Sequence, residues 1–150
     1  MKIENHRFRK SDPMAAAASK AELRKTALAR RSALGADERI RASEKVVRYL
    51  AGLVRPGEAV SLFCPIRDEV DPTGLFDWVR ENRGTVLLPA VTGRQIVFRV
   101  HPADGPLEAG TFGTRHPPES AEIRDPDLII APLAAFDASG NRIGYGGGYY

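Results

Sequence analysis

The spacing of apolar residues predicts two helices near the start of the chain. Ser19 and Glu22 have the spacing of a capping box, which predicts that a first helix begins at Ser19 and runs to about Leu34. A second helix is predicted from Asp37 to Leu53. The residues expected to face inward along it are Ile40, Val46, Val47, Leu50 and Leu53. Residues 1–18 show no periodicity, so we expect a disordered leader followed by one domain over residues 19–150.

Short apolar runs alternate with helical spacing in the rest of the chain. Asp71-Pro72 has the pattern of an N-cap and first helical residue, which predicts a helix to about Asn82. Residues 102–126 are rich in proline, glycine and charge and are predicted to be loop. The predicted strands are Ala59–Cys64, Thr85–Leu88 (ended by Pro89), Gln95–Val100 (able to pair with its neighbour as a hairpin) and Leu128–Ala131. This order predicts an α/β fold with a mostly parallel sheet and helices on both faces.

The composition is that of an ordinary soluble protein, with 43% hydrophobic and 27% charged residues. No apolar run approaches the ~20 residues that span a bilayer, so we expect a cytoplasmic protein without a membrane partner. The single cysteine, Cys64, excludes an intrachain disulfide and a cysteine-based zinc site. Cys64 could be a nucleophile, but its apolar surroundings favour a small buried side chain.

Positive charge is concentrated in the first third of the chain. Residues 1–50 carry 13 Lys and Arg against 6 Asp and Glu. Lys20, Arg24 and Arg31 fall along one edge of the first predicted helix. Such a surface suits a polyanionic partner, which could be a nucleic acid, a nucleoside triphosphate or a polyglutamylated ligand. A solvated helix face explains the charge equally well.

The most unusual segment follows the last predicted strand, where ligands bind in open α/β sheets. Four of the five residues from Gly144 to Gly148 are glycines. Glycine allows a backbone to approach a ligand closely, and successive N–H groups can form a concave nest for phosphate oxygens. Arg142 could clamp phosphate with its guanidinium, and the tyrosines nearby could stack on a flat ring. The segment matches neither the dinucleotide-binding nor the Walker pattern.

These residues closely resemble the signature of the 5-formyltetrahydrofolate cyclo-ligase family. The similar segments are Phe136-Asp137, Gly140-Asn141-Arg142, residues 144–150, Lys20-Ala21-Glu22-Leu23-Arg24, Asp68-Glu69-Val70 with Asp71, and Leu87-Leu88-Pro89. The resemblance implies a three-layer architecture of the NagB/RpiA/CoA-transferase-like kind. It also implies the use of Mg-ATP to convert 5-formyltetrahydrofolate to 5,10-methenyltetrahydrofolate, with release of ADP and phosphate. The formyl oxygen is implied to attack the γ-phosphate before N10 closes the ring.

The resemblance further implies which residues bind each ligand. Those implied to bind ATP are Lys20, Ala21, Glu22, Leu23, Arg24, Arg142, Ile143, Gly144, Tyr145, Gly146, Gly147, Gly148, Tyr149 and Tyr150. Those implied to bind the folate are Cys64, Glu69, Tyr145, Gly146, Gly147, Gly148 and Tyr149. Arg142 and Tyr149 are the implied catalytic residues. Glu69 suits a pterin, because a carboxylate accepts paired N–H bonds from an aminopterin edge.

Several alternatives remain open from the sequence. Family members continue with Asp-Arg, whose aspartate serves magnesium, so we expect the chain to be incomplete and its metal ligand to lie just past Tyr150. A truncated or diverged relative could bind ATP or folate without turnover. A nucleic-acid-binding role is disfavoured, because no aromatic residues interleave the basic ones. Lys20 and Arg24 could form a solvated face, and Glu69 could simply cap a turn.

Overall fold

The computed structural model describes residues 13–145 and 147–150. Its helices are α1 Pro13–Ser32, α2 Ala36–Ala51 and α3 Gly74–Glu81, with a short 3₁₀ turn at Thr111–Gly113. Its strands are β1 Ala59–Ser61, β2 Thr85–Thr92, β3 Gln95–Val100, β4 Glu108–Ala109, β5 Arg115–His116, β6 Leu128–Ile129, β7 Ala135–Phe136 and β8 Arg142–Ile143. Among the described residues, no helix combines the length and apolar composition needed to cross a membrane.

The central sheet has four strands in the order β3-β2-β1-β6. Strand β1 runs parallel to both neighbours, so that Val60 pairs with Val86 in β2 and with Leu128 in β6. Strand β3 returns antiparallel to β2 as a hairpin. The predicted α/β class with a mainly parallel sheet is therefore confirmed, as is the hairpin.

Pro89 does not end β2, contrary to the prediction. Strand β2 continues to Thr92, and Pro89 pairs with Phe98 in the hairpin. The backbone groups of successive β2 residues point to opposite sides of the strand. Val86 O accepts from His101 N on the side of β3, whereas Leu87 O accepts from Leu62 N on the side of β1. The missing N–H of Pro89 thus lies on the side of β1, which has already ended at Ser61. The residues after the predicted strand end at Pro89 therefore form part of the hairpin instead.

Helices α2 and α3 cover the same face of the sheet. The core cluster on this face contains Val54, Val60, Leu62, Leu75, Phe76, Val79, Val86 and Leu88. Helix α2 contacts it through Val47, Leu50 and Ala51, near its C-terminal end. The inward orientation predicted for Ile40 and Leu53 is wrong, since their side chains are 58% and 52% exposed. Ile40 lies two turns before the contact, and Leu53 follows the end of the helix.

Two predicted helix starts are also wrong. Helix α1 begins at Pro13, so Ser19 lies inside it rather than at its N-cap. An alanine-rich segment favours helix, and proline is tolerated in a first turn, which explains the earlier start. Residues 1–12 of the predicted leader lie outside the described residues. Asp71 precedes α3, where its carboxylate accepts hydrogen bonds from the backbone N and the hydroxyl of Thr73. This turn delays the start of α3 to Gly74.

The β7–β8 hairpin carries Arg142. It leads into residues 144–150, which we call the glycine segment. One carboxylate oxygen of Asp137 accepts hydrogen bonds from the backbone N of Ser139 and Asn141, both at 2.9 Å. The other oxygen accepts from the Asn141 side chain at 2.8 Å. Gly140 completes the turn with φ +81°, a value that favours glycine. The geometry of this turn therefore explains why aspartate, glycine and asparagine occupy positions 137, 140 and 141.

We predict that Asp137→Ala loosens this turn without unfolding the domain, because Asp137 is exposed and lies outside the core. The pKa of Asp137 is held below its usual value, chiefly by the hydrogen bond from the Asn141 side chain. Its stabilising effect should be complete above the ordinary aspartate pKa and should disappear as pH falls through the lowered value. Hydrogen exchange should accelerate in residues 137–143 of the variant at neutral pH. Unchanged exchange there, relative to the control Asp104→Ala, would contradict the role of Asp137.

Candidate functional site

A cleft of about 560 Å³ opens where β1 and β6 end, between α1 and α2. Its walls are mostly apolar, and its charged residues are Arg30, Arg31 and Glu69. The complete lining is Ala27, Arg30, Arg31, Val46, Leu50, Phe63, Glu69, Val70, Pro72 and residues 130–136. Apolar walls with a few polar groups are typical of a small-molecule site, and the volume lies within the usual range.

Glu69 places a buried carboxylate in this cleft. Its side chain is 8% exposed. Atom Oε2 accepts a hydrogen bond from the backbone N of Ile66 at 2.9 Å, so one oxygen does cap a turn. Atom Oε1 is buried and has no hydrogen-bond partner among the described residues. An unpartnered buried acceptor is costly, and it suits a site where a ligand supplies the donor.

Two arginines of α1 contact the beginning of the glycine segment. The Nε atom of Arg24 donates to the carbonyl oxygen of Gly144 at 2.7 Å. Arg31 donates from Nη1 to the hydroxyl of Tyr145 at 2.7 Å, and its guanidinium carbon lies 5.8 Å from the centre of that ring. The two arginines are seven residues apart, so they project from one side of the helix two turns apart. The basic edge predicted for this helix thus meets the glycine segment.

Tyr145 and Tyr150 remain protonated at neutral pH. Burial raises the pKa of Tyr145 above its usual value, and Glu69 raises it further through a hydrogen bond and its negative charge. Arg31 partly offsets both effects. Partial burial, together with the negative charge of Glu69, raises the pKa of Tyr150 to about 12. Both phenols can therefore donate hydrogen bonds beside a carboxylate that can only accept them.

The remaining residues of the predicted phosphate site are more exposed. Lys20, Ala21, Glu22 and Leu23 lie exposed on α1, and Arg142 lies exposed on β8. Gly148 adopts φ +68°, and a Cβ atom at Gly147 would lie only 2.7 Å from the ring of Tyr149. Glycine is thus favoured at both positions, at Gly148 by the left-handed backbone and at Gly147 by the close approach of the Tyr149 ring. Gly146 lies outside the described residues.

Cys64 is not part of the cleft lining. Its side chain packs against the core cluster beneath the helices. Burial raises the pKa of its thiol, an effect that Arg115 partly offsets and Asp71 reinforces. A raised thiol pKa disfavours a nucleophilic thiolate. The interpretation of Cys64 as a small buried side chain is therefore favoured.

Arg31 was missed as a site residue, although the sequence placed it on the same helix edge as Arg24. Its hydroxyl partner lies 114 residues away in sequence, so helical spacing alone could not identify the contact. Among the described residues, no group of three or more His, Cys, Asp or Glu side chains could hold a metal ion.

Comparison with known proteins identifies the family. A relative from Mycolicibacterium smegmatis named 5-formyltetrahydrofolate cyclo-ligase is 30% identical over 141 residues, covering 88% of this chain and 73% of the relative. The NMR structure of Aquifex aeolicus 5,10-methenyltetrahydrofolate synthetase matches with TM-score 0.76 at 39% identity, over 87% of this chain and 69% of that chain. A Mycoplasma pneumoniae 5,10-methenyltetrahydrofolate synthetase, with TM-score 0.68 at 24% identity over 87% and 74% of the two chains, supports the fold alone.

The family model described as the 5-formyltetrahydrofolate cyclo-ligase family matches residues 16–150. That range contains Arg24, Glu69 and the glycine segment, so the resemblance indicated by those residues is confirmed. This chain belongs to the 5-formyltetrahydrofolate cyclo-ligase family.

Proposed function

We propose that the chain uses ATP to convert 5-formyltetrahydrofolate to 5,10-methenyltetrahydrofolate, releasing ADP and phosphate. The observation that carries this proposal is the unpartnered oxygen of Glu69 in an apolar cleft, next to a glycine segment bonded to two arginines. The cleft with Glu69 suits a flat ring that carries N–H donors. The glycine segment with its arginines suits a chain of phosphates. Membership of the cyclo-ligase family supports the same pair of ligands.

The folate is proposed to occupy the cleft. Its apolar walls, including Phe63 and Val70, would pack against the flat pterin. Glu69 Oε1 would accept N–H bonds from the aminopyrimidinone edge, which would satisfy an otherwise unpartnered oxygen. Tyr145 and Tyr149, with the glycines between them, would complete the contact from the side of the glycine segment.

The triphosphate of ATP is proposed to lie along the glycine segment. Backbone N–H groups of residues 144–148 would form the cradle, and Arg142 and Lys20 would add positive charge. Arg24 uses Nε on Gly144, which leaves its terminal nitrogens for phosphate oxygens. The arrangement would bring the γ-phosphate to the mouth of the cleft that holds the formyl group.

The proposed chemistry has two displacement steps. The formyl oxygen attacks the γ-phosphorus, a new O–P bond forms, and the bond to ADP breaks. N10 then attacks the activated formyl carbon and loses its proton, while the carbon–oxygen bond breaks and phosphate leaves. Arg142 would neutralise charge on the transferred phosphoryl group, and the phenol of Tyr149 would donate a hydrogen bond to it.

Magnesium is proposed to arrive bound to ATP. The described residues offer no cluster of metal-ligating side chains, so the phosphates of the nucleotide are its proposed ligands. Magnesium commonly binds through nucleotide phosphates and retained waters, which is compatible with this arrangement.

Titration calorimetry with Mg-ATP, with 5-formyltetrahydrofolate and with duplex DNA would test the proposal, combined with the absorbance of the methenyl product. Binding of both small molecules, product formation and no binding of DNA are the expected results. Binding of both without product would instead identify a relative that holds its ligands without turnover. Binding of DNA alone would overturn the proposal.

Glu69→Gln should weaken 5-formyltetrahydrofolate binding by about 1.5–3 kcal/mol, because the substitution exchanges an acceptor for a donor next to a ligand N–H. Binding of ATP should remain near that of the wild type. Calorimetry with each ligand measures both effects, and the exposed Glu44→Gln on α2 is the matched control. Unchanged folate affinity would remove Glu69 from the site.

Arg142→Ala should weaken ATP binding by about 1.5–3 kcal/mol, the range for hydrogen bonds to charged groups. Folate binding should change much less, because Arg142 does not line the cleft. Arg94→Ala removes the same charge from the exposed tip of the β2–β3 hairpin and serves as the control. Equal loss of both ligands would indicate a structural role for Arg142.

A further inference from the structure

Arg31 lies where the cleft and the glycine segment meet. It lines the cleft together with Glu69, and it donates a hydrogen bond to the hydroxyl of Tyr145. Its guanidinium also lies over the ring of Tyr145, at 5.8 Å from the centre. Tyr145 in turn lies within hydrogen-bonding reach of Glu69, whose carboxylate raises the pKa of the phenol. One arginine of α1 thus reaches the tyrosine that adjoins the buried carboxylate.

We propose that Arg31 is a positioning residue that holds Tyr145 beside Glu69, so that a hydroxyl and a carboxylate oxygen face the same edge of the folate. This inference rests on the proposed function, because it assigns the pair to the substrate of that reaction. It adds a residue that acts on the folate through Tyr145 rather than by direct contact.

The direction of each hydrogen bond determines what this pair can recognise. Arg31 donates to the hydroxyl oxygen of Tyr145, and a guanidinium has no acceptor with which to take the phenolic proton. The phenolic proton is therefore left for another acceptor, which can be the adjoining Glu69 carboxylate or a ligand atom. Glu69 Oε1 is unpartnered within the described part of the chain and can only accept. Together they complement a ligand edge that carries an N–H donor next to an acceptor, as an aminopyrimidinone ring does.

The alternative is that Arg31 has only a structural role, which is to hold the glycine segment against α1. Loss of that structural contact would disturb the proposed phosphate cradle and the folate contact alike. Loss of a positioning contact would affect the folate far more than ATP, because Arg24 would still bond to Gly144. The ratio of the two effects separates the roles.

Steady-state kinetics of Arg31→Ala, Arg31→Lys, Tyr145→Phe and the double variant Arg31→Ala/Tyr145→Phe test this inference. Arg31→Ala should raise KM for 5-formyltetrahydrofolate about tenfold, with KM for ATP changed less than about twofold. Arg31→Lys should recover part of the loss, because it keeps the charge but not the planar fork. The double variant should be little worse than either single variant, since both remove one contact.

The exposed Lys25→Ala on α1 is the control and should behave as the wild type. Equal changes in both KM values, or fully additive effects in the double variant, would overturn the positioning role.

A second measurement is independent of folate chemistry. In ¹³C-tyrosine NMR, the signal of Tyr145, identified by its absence in Tyr145→Phe, reports the titration of its phenol. Arg31 lowers the pKa of this phenol while Glu69 raises it, so Arg31→Ala should move the titration to higher pH. An unmoved titration would mean that Arg31 does not contact Tyr145 in solution, and would overturn the inference. A moved titration in a protein that neither binds nor converts folate would refute the proposed function while leaving the Arg31 contact established.

Discussion

The geometry of the site depends on the contacts between α1 and the glycine segment. Ordering glycine costs more backbone entropy than ordering any other residue, so a run of glycines needs outside contacts to keep one shape. Arg24 contacts the backbone by donating to the carbonyl oxygen of Gly144, whereas Arg31 contacts the side chain of Tyr145. The β7–β8 hairpin, with its Asp137 turn, leads the chain into the segment from the other side. The segment is therefore oriented from both directions.

The same contacts bring two different chemistries together. The arginines and the glycine backbone suit phosphate, whereas the apolar cleft and Glu69 suit a flat heterocycle with N–H donors. Tyr145 belongs to both regions, since it follows Gly144 in sequence and adjoins Glu69 in space. A reaction that transfers a phosphoryl group to a folate oxygen requires such adjacency, because its rate depends chiefly on positioning and charge neutralisation.

Local patterns predicted much of the fold because they report on local constraints. The apolar runs around Val60 and Val86 predicted two strands, and the helical segment between them predicted that these strands run parallel. Pro89 was misjudged because its effect depends on which side of β2 lacks a partner, which is known only after β1 has been placed. Ser19 was misjudged because its capping pattern also occurs inside a longer helix. Ile40 and Leu53 were misjudged because helical spacing does not say which turns meet the sheet.

The candidate site was predictable where a motif concentrates unusual residues, as in the glycine segment. Arg31 was not predicted as a site residue, because its contact with Tyr145 joins two residues that lie 114 positions apart in the sequence. We propose that α1 and the glycine segment bind ATP as one unit, and hydrogen–deuterium exchange with and without Mg-ATP tests this most directly. Slower exchange in both residues 20–31 and residues 142–150 on adding Mg-ATP is the predicted result. Protection confined to residues 142–150, with α1 unchanged, would contradict it.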